Sequence, residues 1–254
     1  MKLLTLARDL QRRKARERHH RFVAEGVRTV ETLLQSSLDV VGILATAALA
    51  ADERGALLLA AAQLRGIPVY ELSEKDLESA ADTESPQGVL AVAAIPDRSL
   101  ITPPATARFL VLDALQDPGN VGTVIRTAAA LGVTATLALP GTVDLWNAKV
   151  VRSTMGALFL HLALPATWEA VCAYLDAHTI PLWVADTDGE ALDGTALLSV
   201  PDRLALAVSN EGAGLSQHVA ERAARRVAIR MAPEADSLNV AVATGILLHA
   251  LRPT

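Results

Sequence analysis

Three stretches in the C-terminal half of the chain place polar residues between an apolar run and a helical pattern. The first reads Asp113-Ala114-Leu115-Gln116-Asp117-Pro118-Gly119-Asn120-Val121-Gly122-Thr123-Val124-Ile125-Arg126-Thr127. It leaves a strand, turns on Pro118-Gly119 and enters a helix. Free N–H groups and the positive dipole end favour an anionic ligand there, and glycine lets it approach the backbone. The alternative is an ordinary capped turn, which an interior Arg126 fits poorly because Val124, Ile125 and Leu131 already fill the packing positions. In the second stretch, Trp146 to Ala157, Lys149 and Arg152 lie three apart and share a helix face. Such a pair suits phosphate oxygens rather than base edges, a solvated basic face being the alternative. Gly156 within that pattern implies a helix end or a close packing partner. The third stretch has two pieces. Ser209-Asn210-Glu211-Gly212-Ala213-Gly214 is a glycine turn holding a single acid, and Ile229 to Ala241 leads into an apolar helix. Ser237 reads as the N-cap of that helix, and Asn239 falls in its first turn, where propensity gives it no reason to be. Three strand-to-helix junctions of this kind point to one cleft at the strand ends of an open α/β sheet.

Other chemistries lack their residues. The sequence has no Gly-Lys-Ser/Thr phosphate loop, no Gly-x-Gly-x-x-Gly after a first strand and no Gly-x-Ser-x-Gly turn. No His/Cys/Asp group has metal spacing, so no metal is expected. The lone Cys172 excludes an internal disulfide framework and reads as a buried small hydrophobe. No apolar run approaches the roughly 18 residues that span a bilayer, and the N-terminus lacks a signal-peptide pattern. A cytoplasmic protein without membrane contact is therefore expected.

The elements that must position these residues fall into three regions. Residues 1–95 read as a small α/β domain, 96–107 as a proline-bearing linker and 108–254 as a second, larger α/β domain. The first region is predicted as a charged helix over 1–20, a short strand at 22–24, a helix over 27–35 and a strand over 39–44. An Ala/Leu-rich stretch over 47–65 and strands over 67–72 and 88–94 follow. The second domain alternates strand 109–112, helix 121–132, strand 135–139, helix 147–157, strand 158–164, helix 167–177 and strand 180–185. After a turn at Asp188-Gly189 come strand 204–208, helix 215–223, strand 226–231 and helix 238–251.

Charge is unevenly spread. Residues 1–30 hold nine Lys/Arg against three acids, a net +6, although the whole chain is at −5. A basic segment on an acidic body is the asymmetry of a region that meets a polyanion, with a solvated helix face as the alternative. Arg12, Arg13, Lys14, Arg16 and Arg18 are the candidate polyanion contacts of that segment.

The three stretches, in this order and near these spacings, resemble the signature motifs of the SpoU (TrmH-type) RNA ribose 2′-O-methyltransferases of the SPOUT superfamily, over about 109–252. The first motif is intact through Asp117-Pro118-Gly119-Asn120-Val121-Gly122 and Arg126-Thr127. In the second, Asn147, Lys149, Arg152 and Met155-Gly156-Ala157 match, with Thr154 where the family usually has Ser. The third matches at Asn210-Glu211-Gly212, Gly214-Leu215-Ser216 and Ser237-Leu238-Asn239, with Ser209 where many members have Gly. Less specifically, Phe22-Val23-Ala24-Glu25-Gly26 and Thr83 to Val92 resemble the small RNA-binding domain that many members carry.

The resemblance implies a parallel-sheet α/β domain with helices on both faces and a C-terminal trefoil knot, a homodimer, and S-adenosylmethionine as cofactor. It implies an RNA substrate, rRNA before tRNA. Arg126 is then the residue at the 2′-hydroxyl, either accepting its proton or orienting the ribose and stabilising the alkoxide, with Asn120, Glu211, Ser237 and Asn239 completing the catalytic set. Ser209, Asn210, Gly212, Ile229, Met231 and Leu238 are implied at the cofactor, and Lys149 and Arg152 at RNA phosphates. Rival readings are a non-catalytic RNA-binding protein that kept the fold and a nucleotide-binding enzyme acting on a small molecule.

Overall fold

The computed structural model describes residues 2–192, 200–210, 212, 214–232 and 237–252. The chain forms two compact units, one built from Met1–Asp97 with Trp146–Leu160, the other from Arg98–Leu145 with His161–Thr254. The second-motif segment thus packs with the N-terminal residues, although it lies within the sequence of the larger domain.

The first unit begins with α1 (Lys2–Asp9) and α2 (Arg13–His19), then β1 (Arg21–Glu25), α3 (Val27–Gln35) and β2 (Val40–Thr46). It continues with α4 (Ala47–Ala51), α5 (Glu53–Leu64), β3 (Val69–Leu72), α6 (Glu74–Glu78) and β4 (Val89–Ala94). Its four strands lie in the order β1-β4-β2-β3. β4 runs antiparallel to both β1 and β2, and β3 runs parallel to β2. The predicted single helix over 1–20 is broken at residues 10–12. Arg16 explains the break: it is buried, and its guanidinium donates to the Leu10 and Gln11 carbonyls freed there, at 2.8 and 2.9 Å. On one side of the sheet Leu4, Ala7 and Leu10 pack on Val23, Leu44, Leu90 and Val92. Elsewhere in this unit Phe22 stacks on Trp146 at 4.5 Å and on Phe159 at 5.6 Å between ring centres.

Trp146 and Phe159 belong to a segment containing α8 (Ala148–Ser153) and α9 (Ala157–Leu160). The predicted strand over 158–164 is therefore helical at its start and a strand only at β7 (Ala163–Pro165). A short apolar run cannot tell the two states apart by periodicity. Gly156 decides the matter, with φ of +90° and a would-be Cβ only 2.5 Å from Thr32 Cβ. The close packing partner expected for it is Thr32 of α3, and α8 has already ended at Ser153.

The second unit holds β5 (Ala107–Asp113), α7 (Pro118–Ala130), β6 (Ala135–Ala138), β7 and α10 (Trp168–Ala177). It continues with β8 (Leu182–Ala191), β9 (Arg203–Ser209), α11 (Gln217–Arg222), β10 (Arg225–Ala228) and α12 (Val240–Ala250). The sheet is wholly parallel, in the order β10-β8-β9-β5-β6-β7. All seven residues of β5 are buried, as a strand covered on both faces requires. Phe109, Val111, Leu137, Val184, Ala205 and Ala207 form the core with Val171 and Leu175 of α10. The turn predicted at Asp188-Gly189 is a bulge inside β8. Pairing with β10 jumps there from Val184↔Arg226 to Glu190↔Val227, and Asp188 N–H donates to Asp186. The strand predicted over 226–231 stops at Ala228. Cys172 is half-buried rather than fully buried, and partial burial pushes its thiol pKa up, away from a reactive thiolate.

Candidate active site

Strand order reverses at β5 and β9, and open parallel sheets bind ligands at the carboxyl ends of strands about such a point. β5 ends on Asp113, paired in register with Ser209, the last residue of β9. Asp113 is buried and accepts the Ser216 N–H at 2.7 Å, pinning the loop after β9 onto the end of β5. The signal for this residue was a lone acid closing an apolar strand.

Beside this junction lies a cavity of about 400 Å³, within the size range of small-molecule sites. Ser209, Asn210, Ile229, Met231 and Leu238, all singled out from sequence, line it, as does Ser237. Gly212 is exposed and does not line it. Glu211 lies outside the described residues. The apolar walls come from Val208, Leu215, Val240 and Leu247. Asp186, Thr187 and Arg226 also line it, and the sequence reading missed them because the β8 bulge brings them in.

Next to the cavity-lining Leu238 and Val240, the starts of two helices are joined. Asp117 caps α7 by accepting the Asn120 N–H at 2.6 Å. Asn239, not Ser237, caps α12, its Oδ1 accepting the Ala241 N–H at 3.0 Å. The Asn239 Nδ2 then donates to Asn120 Oδ1 at 3.0 Å. With Asn239 committed as acceptor to its helix, its amide must present nitrogen to Asn120, so the network orients both side chains. Asn239 follows the cavity-lining Leu238 directly, and Asn120 shares α7 with Arg126. Arg126 is exposed on α7 and is not among the cavity-lining residues.

The candidate RNA contacts separate by environment. Lys149 is exposed in the first turn of α8, whose N-cap is Asn147. Arg152 is held within the first unit, donating to Asp82 at 2.8 Å with the buried Glu25 at 3.8 Å. Arg12, Arg13 and Arg18 are exposed and pair with Asp9, Glu17 and Asp9, while Lys14 is exposed on the same helix. Arg16 is buried against backbone carbonyls, so an RNA contact by its side chain does not hold. Among the described residues no group of three or more His, Cys, Asp or Glu could hold a metal ion, and no helix is long and apolar enough to cross a membrane.

Residues 107–249 match the SpoU rRNA Methylase family. The chain belongs to that family. Residues 5–91 match the MRM3-like substrate binding domain that accompanies it here. The chain is 35% identical to the 23S rRNA (guanosine(2553)-2′-O)-methyltransferase of Bacillus subtilis, over 96% of this chain and 94% of that protein. It is 32% identical to the 23S rRNA (adenosine(1067)-2′-O)-methyltransferase of Streptomyces laurentii, over 76% and 72%. Among solved structures, an AdoMet-bound rRNA methyltransferase from Sinorhizobium meliloti superposes with a TM-score of 0.84 at 28% identity, covering 98% of this chain and 94% of that one.

Proposed function

We propose that the protein is an S-adenosylmethionine-dependent methyltransferase that methylates a ribose 2′-hydroxyl in structured RNA, ribosomal before transfer RNA. The observation that carries the reading is the Asn239–Asn120 bond, which ties the segment of the cavity-lining Leu238 and Val240 to the helix bearing Arg126. The near full-length likeness to rRNA 2′-O-methyltransferases supports it.

The cavity residues fit the cofactor. Val208, Leu215 and Leu247 offer apolar surface to an adenine ring, and the ends of β9 and β10 offer main-chain groups to its edge. Bound there, S-adenosylmethionine supplies a methyl group on a positively charged sulfur. Ser209, Asn210, Ile229, Met231 and Leu238 would hold it, with Gly212 as the further residue assigned to the cofactor. Asn120 and Asn239 orient the ribose, and Ser237 and Glu211 complete the catalytic set assigned from the sequence. Arg126 faces the 2′-hydroxyl. Arg126 acts as a hydrogen-bond donor to the developing alkoxide, and the proton of the 2′-hydroxyl passes to solvent water. Alignment of the three reacting atoms supplies several kcal/mol more.

Lys149 with Arg12, Arg13, Lys14 and Arg18 contacts RNA phosphates. Exposed ion pairs such as Arg13–Glu17 hold their partners by at most about 1 kcal/mol, so these cations exchange readily onto phosphate. A homodimer through α12 is part of the reading, supported by Val242 and Ile246, exposed one turn apart on that apolar helix. So is a trefoil knot, supported by the return of the chain from the edge strand β10 to pack α12 against α7 and β9. The compartment is the cytoplasm. Incubation with methyl-labelled S-adenosylmethionine and separate pools of unmodified rRNA and tRNA tests the substrate class. Label in rRNA is expected; label in tRNA alone would overturn the preference.

A further inference from the structure

The cavity has one charged wall. Among the described residues that line it, Asp186 and Arg226 are the charged ones, and they pair with each other. Their meeting is set by the β8 bulge. Between Val184↔Arg226 and Glu190↔Val227, five β8 residues have no partner on β10, and they swing Asp186 and Thr187 to the cavity. Gly189 closes the bulge against β10 so tightly that a Cβ would sit 2.7 Å from Val227 backbone. The Asp188 N–H fixes the Asp186 carboxylate through Oδ1, and Arg226 binds Oδ2.

The pair has capacity beyond itself. A guanidinium has five N–H donors in a fork that fits a carboxylate, and each carboxylate oxygen of Asp186 keeps a second acceptor site. The Arg226 side chain is half exposed, at 51%, whereas that of Asp186 is 18% exposed. A zwitterion brought to this wall places its carboxylate on Arg226 and its ammonium on Asp186. The other described residues that line the cavity are apolar or neutral and suit an uncharged ring.

Resting on the cofactor reading above, we propose that the Asp186–Arg226 pair is the receptor for the amino-acid tail of the cofactor and sets its orientation in the cavity. The pair neutralises itself before the ligand arrives, so the cavity is not left with a bare charge.

Calorimetric titration of the full chain with three ligands tests this. S-adenosylmethionine and S-adenosylhomocysteine carry the tail, and 5′-methylthioadenosine keeps the nucleoside without it. Arg226→Gln and Asp186→Asn should each weaken both tailed ligands by about tenfold or more, the loss expected for one charge-assisted hydrogen bond. Affinity for 5′-methylthioadenosine should stay within about twofold of the parent. An equal loss for all three ligands would overturn the proposal, because the pair would then only brace the bulge. Unchanged affinity for the tailed ligands would overturn it too. If the unsubstituted protein bound none of the three, the cofactor reading itself would fail and this inference with it.

Discussion

Asn239 donates through Nδ2 to the Oδ1 of Asn120 at 3.0 Å, joining the N-termini of α12 and α7 across 119 residues of chain. The same Asn239 caps α12 through Oδ1. The two roles separate by substitution. Asn239→Ala removes both and should lower stability by about 1 kcal/mol, the usual loss for a cap. Asn239→Asp keeps the cap acceptor but removes the donor, so Asn120 must turn its amide. Its melting temperature should match the parent while methyl transfer falls about tenfold or more. Equal rates for the parent and Asn239→Asp would remove Asn120 orientation from the mechanism.

Arg126 is exposed on α7, so its side chain contributes little to packing. Arg126→Ala should melt with the parent and bind cofactor normally, but lose about 10²–10³ in kcat, the scale of one lost transition-state donor. A folded Arg126→Ala protein with near-parent turnover would sink the assignment.

Lys149 and Arg152 share a face of α8 but differ in surroundings. Removal of Arg152 leaves Glu25 buried and without this cation, so Arg152→Ala should cost on the order of 1–3 kcal/mol of stability, discounted for its partial exposure. Its RNA affinity should keep the parent dependence on salt. Lys149→Ala should leave stability alone and lower the slope of log affinity against log salt by about one. The reversed pattern in denaturant melts and salt titrations would return Arg152 to the RNA.

His161 is buried beside Thr136, with 2.8 Å between its Nε2 and the threonine Oγ1. Burial, and then the charge of Arg98, pull its pKa from 6.5 down to about 4. The folded state therefore binds fewer protons than the unfolded state between those values. Stability is full above about pH 6.5 and declines as pH falls towards 4, by at most about 3 kcal/mol from this residue. His161→Gln should flatten the urea-measured stability profile in that window. An identical slope in parent and variant would remove His161 from the acid sensitivity.

Much of the architecture was legible in periodicity. The limits of α3 were predicted to the residue, and the buried run of β5 announced a covered parallel strand. The failures come from side-chain contacts that periodicity does not register, some distant in sequence and some local. Leu158 and Phe159 are helical because Gly156 packs against Thr32, over a hundred residues away. Residues 10–12 break a helix that propensity would continue, because Arg16 satisfies the carbonyls. Asn239 was noticed for its low propensity, although its capping role was given to Ser237. Asp186 and Arg226 gave no signal at all, because only the bulge in β8 makes them neighbours.

The central claim is that methyl reaches a ribose oxygen rather than a base, and the position of the label decides it. RNA methylated by the purified protein should be digested to nucleosides and resolved by mass spectrometry, with fragmentation at the glycosidic bond. The label is predicted on the ribose fragment, as a 2′-O-methylnucleoside. Label on the base fragment would contradict the account.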